Sequence, residues 1–191
     1  IDSCLVWLPQ HRILFCGNLF GPFFPHFPNF NTIRGDKYRD VTRYLDSTAK
    51  VLELAPELLI TGHGEPIEGA PLIVQCVTRL RDAVRYVHDE TLKGINAGAD
   101  VFQLMRDIRL PPQLRVGEAY GRVAWCVRTI WESYLGWFHA LATHELYPTQ
   151  PRDLYADLAH LAGPQALLGL AREKLATDPA ASTLLCDMVL A

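Results

Sequence analysis

The spacing of apolar residues changes once along this 191-residue chain, near residue 70, and that change limits the folds open to it. Before it, short apolar runs and glycine- and proline-rich loops surround a single helical stretch; after it, apolar residues recur every three or four positions almost throughout. The short runs belong to strands and the recurrence to helices. Leu5-Val6-Trp7-Leu8 and Ile13-Leu14-Phe15-Cys16 flank the short polar stretch Pro9-Gln10-His11-Arg12, a β-hairpin signal. Gly17 ends the second strand. The segment from Asn18 to Gly35 has no periodicity but holds five phenylalanines, so it is expected to be an ordered, functional loop. Asp36 is placed to cap a helix over 37–53, with Tyr38, Val41, Tyr44, Leu45, Val51 and Leu52 at helical intervals. Pro56 ends it, Leu58-Leu59-Ile60 reads as a short buried strand, and Thr61-Gly62-His63-Gly64 as the turn at its tip. Strand, helix, strand and polar turn form the edge of an α/β sandwich.

From Pro71 a long helix is expected to about Lys93, its face formed by Ile73, Val77, Leu80, Val84 and Val87. Asn96-Ala97-Gly98 breaks it. A short helix over about 101–108 precedes Leu110-Pro111-Pro112. A second long helix over about 121–138 is apolar on nearly every side, with Trp125, Ile130, Trp131, Leu135 and Trp137. Such a helix must be buried, against the sandwich or a second subunit. Residues 152–190 read as three short helices broken at Gly163-Pro164 and Asp178-Pro179, like a tetratricopeptide hairpin stack too short to be an array. The division is therefore 1–70, α/β, and 71–191, all-α.

With 49% apolar and 20% charged residues the chain sustains a buried core. A net charge of −3 without a basic stripe excludes a general nucleic-acid binder. No apolar run approaches the ~20 residues of a membrane helix. The chain opens on Ile1 in a strand-like segment, so it is expected to begin inside a longer protein. Cys4, Cys16, Cys76, Cys126 and Cys186 are scattered without framework spacing and read as buried free thiols. That favours a reducing compartment, with the cytoplasm and the periplasm both open.

Three places offer chemistry. His63, between two glycines at a strand tip, suits a metal ligand, and equally a turn histidine facing water. Asn18, at the tip of Phe15-Cys16-Gly17, stands where a carboxylate would bridge two metals, but an amide oxygen is a poorer zinc ligand; the alternative is a plain turn asparagine. Pro28-Asn29-Phe30-Asn31-Thr32-Ile33-Arg34-Gly35 joins an amide to a guanidinium that matches an oxyanion's planar edge. Its alternative is a self-pinned loop with Arg34 paired to Asp36 or Asp40. His26, in the same loop, is a candidate proton donor to a leaving alcohol, or a packing residue among phenylalanines. His88-Asp89 reads as a helix or interface hydrogen bond rather than a catalytic dyad.

The ordered set Trp7-Leu8-Pro9, Phe15-Cys16-Gly17-Asn18, Pro28 to Gly35 and Gly62 to Gly69 resembles the second half of metallo-β-lactamase-fold alkyl sulfatases. The similarity continues through Arg81-Asp82-Ala83, Tyr86-Val87-His88-Asp89, Asn96-x-Gly98, Leu110-Pro111, Tyr120-Gly121 and Tyr134-Leu135-Gly136-Trp137-Phe138, which look like that family's helical dimerisation domain. The resemblance implies the second half of an αββα sandwich followed by a dimerisation domain. It implies a binuclear zinc centre with His63 as a late ligand and Asn18 at the position of an acidic bridge. Asn29 and Arg34 match the positions that hold the sulfate, and the assembly would be a homodimer. The family's H-x-H-x-D-H is absent from these residues, so the chain alone is expected not to build the site. Gly136-Trp137-Phe138-His139-Ala140 departs from the family's G-W-F-D-G.

The function expected is zinc-dependent hydrolysis of an alkyl sulfate ester, or another anionic ester, by the full-length protein. Another hydrolase on the same fold (lactonase, thioesterase or phosphodiesterase) and a metal-poor dimeric binding protein are the alternatives.

Overall fold

The structure, a computed structural model, describes residues 4–31 and 37–191. Two compact units emerge, Ile1–Trp137 and Phe138–Ala191. This partition follows packing, whereas the boundary at 70/71 follows the change of periodicity.

The first unit is built on a four-stranded sheet in the order β1 (Val6–Leu8), β2 (Ile13–Gly17), β3 (Leu58–Thr61), β4 (Ile67–Glu68). β1 and β2 form the expected hairpin, Trp7 opposite Leu14. β2 and β3 are parallel, so the chain must cross over between them, and it does so through the loop from Asn18 and helix α1 (Val41–Leu54). The register aligns Leu14 with Leu59 and Phe15 with Ile60, then shifts so that Gly17 meets Thr61. Both tips therefore end side by side. β4, too short to show periodicity, pairs antiparallel with β3.

Asp40, not Asp36, caps α1: its Oδ1 accepts from the Thr42 and Arg43 amides at 2.8 and 3.1 Å. Asp36 lies outside the described residues. The helix begins four residues later than the spacing of Tyr38 suggests: residues 37–40 form no regular element, and Asp40 has the extended backbone of an N-cap. Helix α2 (Ala70–Asn96) buries the expected face of Ile73, Val77, Leu80, Val84 and Val87. Helices α3 (Val101–Asp107) and α4 (Val123–Leu135) pack together and close the unit. α4 stops at Gly136 and is buried on one side only: Val123, Cys126, Val127, Ile130 and Trp131 are inside, while Tyr134 and Leu135 are exposed. The expected all-round burial is therefore replaced by one buried side, with half-buried residues such as Trp125 on the other, and it fails altogether at the last turn.

The sheet is apolar on both faces, but only one is covered. Leu14, Cys16 and Leu59 are fully buried. On the opposite face Val6 is 49%, Leu8 37% and Phe15 39% exposed. A polar outer face would be the ordinary solution for a sheet facing water. The phenylalanine-rich loop is ordered by burial. Phe20, Phe27 and Phe30 are at most 2% exposed, and Phe20 and Phe30 meet Tyr44 of α1 edge-on at 6.4 and 5.1 Å. Only Cys16 and Cys126 are buried thiols; Cys4 is exposed, Cys76 and Cys186 are half-buried, and all five are free.

The second unit is the expected three-helix stack, α5 (Tyr155–Ala162), α6 (Pro164–Lys174) and α7 (Pro179–Leu190), broken where Gly163-Pro164 and Asp178-Pro179 stand. The buried Ser182 donates to the Ala171 carbonyl at 2.8 Å, tying α7 to α6. Leu154, Leu158 and Leu161 lie one helical turn apart and are 49%, 45% and 81% exposed. No helix among the described residues is long and apolar enough to cross a membrane.

Because Phe30 fills the space against Tyr44, Phe30→Ala is expected to lose about 3–5 kcal/mol of stability, while Phe23→Ala, at a side chain 54% exposed, is expected to lose less than about 0.5. Urea unfolding of the two variants compares them, and equal losses would mean that the loop is not held by its buried rings.

Candidate functional site

The site begins where β2 and β3 end together. In open α/β sheets ligands gather beyond the carboxyl ends of parallel strands. Gly17 accepts from the Gly62 amide at 2.7 Å, locking the tips to one another. A Cβ on Gly62 would overlap the Asn18 side-chain oxygen, so glycine is what lets Asn18 lie across the β3 tip. His63 follows directly, exposed, its carbonyl accepting from the Thr61 hydroxyl. The structure therefore brings Asn18 and His63 to one edge of the sheet.

Asn18 also lines a cavity of about 540 Å³ together with Asn29, Lys37, Arg39, Arg43 and Tyr44. Asn29 is 5% exposed, and its Oδ1 is buried with no hydrogen-bond partner. Leaving such a group unpaired costs about 1–3 kcal/mol. Its main chain, by contrast, is fixed. Arg39 Nη1 donates to the Asn29 carbonyl at 2.9 Å, and the Arg39 amide donates to the Phe30 carbonyl at 3.1 Å. The Tyr44 hydroxyl, also buried, has no partner either, and burial, with Cys126 and Cys16 beside it, pushes its pKa up. It stays protonated. Burial likewise pushes the Cys16 thiol on the same wall up to about 12, so it is no nucleophile at neutral pH.

The charge around this cavity is positive. Asp40 is held ionised, below the usual carboxylate range, first by the Thr42 hydroxyl bond and then by the Arg43 and Thr42 amides; it faces Arg43 at 3.9 Å. Lys37 and Arg39 have no carboxylate partner among the described residues. An anion is the ligand such a wall favours.

The sequence reading found Asn18 and Asn29 but missed Lys37, Arg39 and Arg43. A signal was present: Arg43 stands in the first turn of a helix, where the macrodipole disfavours cations. Arg34 lies outside the described residues. His26 is not among the residues lining the cavity. Its ring packs over Gly117, and its Nδ1 accepts from the Ala119 amide at 3.3 Å, which leaves the proton of the neutral ring on Nε2. His88 ties α2 to α4, its ring nitrogens 3.0 Å from Asp89 Oδ1 and 3.1 Å from the Tyr134 hydroxyl.

Among the described residues no three His, Cys, Asp or Glu side chains are grouped to hold a metal. Catalytic zinc takes three protein ligands, and one exposed imidazole beside a neutral amide does not make such a centre.

Residues 101–191 match the family model described as alkyl sulfatase dimerisation. Over 167 residues, 85% of its length, the chain is 31% identical to a linear primary-alkylsulfatase from Pseudomonas sp. and covers 31% of that protein. Over 146 residues it is 28% identical to the alkyl/aryl-sulfatase BDS1 of Saccharomyces cerevisiae, covering 22% of it. The chain thus spans under a third of the length of these relatives. Its fold is shared with the sec-alkylsulfatase Pisa1 from Pseudomonas sp., at a TM-score of 0.74 and 22% identity, over 96% of this chain and 33% of that one.

Proposed function

We propose, from the match of residues 101–191 to the alkyl sulfatase dimerisation family model and the similarity of most of the chain to alkylsulfatases, that the full-length protein hydrolyses alkyl sulfate esters to alcohol and sulfate. The observation that carries the reading is the buried Asn29 side chain, its Oδ1 unpartnered, in a cavity where Lys37 and Arg39 have no carboxylate partner among the described residues. An amide offers two N–H donors to sulfate oxygens when its terminal torsion turns them outward, and the cations offset the ester's charge. Arg34, five residues along the same loop, is proposed as the bidentate partner of the sulfate. His26, if the loop turns its Nε2–H toward the ester, is proposed as the donor to the leaving alcohol.

Zinc is proposed for the full-length protein, with His63 as this chain's ligand and Asn18 beside it. The bare apolar face of Val6, Leu8 and Phe15 supports the metallo-β-lactamase reading, since a second sheet packed there would complete a sandwich. A metal-poor dimeric binding protein is the second reading, favoured by the neutral Asn18 at the strand tip. Lactone, thioester or phosphodiester hydrolysis gains nothing specific from the cavity beyond its positive charge.

Sulfate release from a medium-chain alkyl sulfate by the full-length protein is the direct test. Asn29→Ala is expected to raise KM about ten- to hundredfold, the worth of a hydrogen bond to a charged group; an unchanged KM would return Asn29 to a structural role. No sulfate release by metal-replete protein, with tight sulfate binding retained, would favour the binding protein. His63→Ala is expected to lower bound zinc in elemental analysis of the full-length protein, and undiminished zinc would take His63 off the metal.

A homodimer is proposed on the stripe of Leu154, Leu158 and Leu161, which a second copy would cover. Light scattering at micromolar concentration is expected to give a dimer mass for the full-length protein, and a monomer mass for the double variant Leu158→Asp, Leu161→Asp. A monomer mass for the unaltered protein would end the dimer reading.

A further inference from the structure

The loop that carries Asn29 is held from behind by a segment far along the chain. The Phe27 amide donates to the Gly117 carbonyl at 2.7 Å, and the Gly121 amide donates to the Phe27 carbonyl at 3.1 Å. Between these two bonds the main chains come unusually close. A Cβ on Gly121 would stand 2.6 Å from the Asn29 amide nitrogen and nearer still to the Pro28 carbonyl. One on Gly117 would stand 2.8 Å from His26 Nε2 and nearer to other ring atoms. Real Cβ atoms do not approach main-chain atoms so closely, so glycine at 121 is what permits the contact. The same segment starts α4, because Glu118 Oε2 accepts from the Val123 amide at 2.8 Å. From the other side Arg39 holds the Asn29 carbonyl. The main chain of Asn29 is thus fixed front and back, while its side-chain oxygen is buried without a partner.

We propose that the strap from Gly117 to Gly121 is a positioning element for the anion site: it sets the Asn29 main chain so that the side-chain N–H donors, turned to the cavity about the terminal torsion, are placed for a sulfate oxygen. The proposal rests on the reading of Asn29 as a ligand-binding residue. It adds that the first turn of α4, inside the dimerisation-family region, and the ligand loop are one packed piece, so a change at residue 121 acts on affinity without touching the ligand. Preorganisation of this kind raises affinity by removing the cost of ordering the group on binding.

A double-mutant cycle tests it in the full-length protein, with inorganic sulfate binding by calorimetry and KM for an alkyl sulfate as readouts. Gly121→Ala is expected to weaken both at least tenfold, with kcat changed less than threefold. In an Asn29→Ala background the same substitution is expected to change both less than twofold, because its effect runs through Asn29. Gly169→Ala, where a Cβ meets nothing within 4 Å, serves as control and is expected to leave both unchanged. Should Gly121→Ala fail to fold, Gly117→Ala is read in the same cycle, since its Cβ displaces a side chain and not main chain; a threefold or larger loss confined to the Asn29 background supports the strap. Equal losses in both backgrounds, or no loss in either, would overturn the positioning role alone. If Asn29→Ala by itself leaves sulfate binding and KM unchanged, the anion-site reading falls and the strap's role falls with it.

Discussion

Burial of three loop phenylalanines, two of them against one tyrosine, is the interaction on which the first unit's site depends. Phe20, Phe27 and Phe30 come from a segment with no periodicity of its own. Each fully buried apolar side chain is worth about 1.5–3 kcal/mol, enough together to order a long loop. Phe20 and Phe30 meet Tyr44 of α1 edge-on, the arrangement ring quadrupoles prefer. Once those rings are seated, the residues between them have little freedom, and Asn29, lying between Phe27 and Phe30, is carried below the surface. The loop is thus folded by its apolar residues and leaves its polar ones for use.

Two unsatisfied groups follow from that arrangement, the Asn29 oxygen and the Tyr44 hydroxyl. Folded proteins pair nearly all their buried polar atoms, and each exception calls for a reason. Here both exceptions line one cavity, and Lys37 and Arg39, which also line it, have no carboxylate partner among the described residues. Structural stability gains nothing from either feature. The cations suit an anionic ligand, and so does the Tyr44 hydroxyl as a donor; Asn29 suits it with its amide turned so that the N–H groups face the cavity, which is why the cavity, and not the exposed His63, carries the proposal.

The strand tips tell a different story. Gly62 and the parallel register of β2 with β3 bring Asn18 and His63 together, as a metal centre at a sheet edge would need. Yet one imidazole and one amide are too few and too weak as ligands to hold zinc alone. The uncovered apolar face of the same sheet is a second sign that the unit is suited to pack against further structure.

The sequence by itself determined the elements whose signals are local. The hairpin, the buried strand before His63, the apolar face of α2 and the breaks at Gly163-Pro164 and Asp178-Pro179 follow from period and from proline and glycine chemistry, and the structure keeps them. The motif order through Gly62-His63-Gly64 and Tyr134-Leu135-Gly136 likewise carried the likeness to alkyl sulfatases. Tertiary structure alone decided the rest. Asp40, itself extended, caps α1 because residues 37–40 stay outside the helix, and β4 exists only because β3 offers it an edge. The last turn of α4 is exposed although its sequence is apolar, since burial depends on what is packed there. Arg39 reaches Asn29, and Gly121 backs Pro28, across ten and more than ninety positions of chain. No local pattern encodes such contacts, because they arise only after the aromatic core has fixed where the loop and α4 lie.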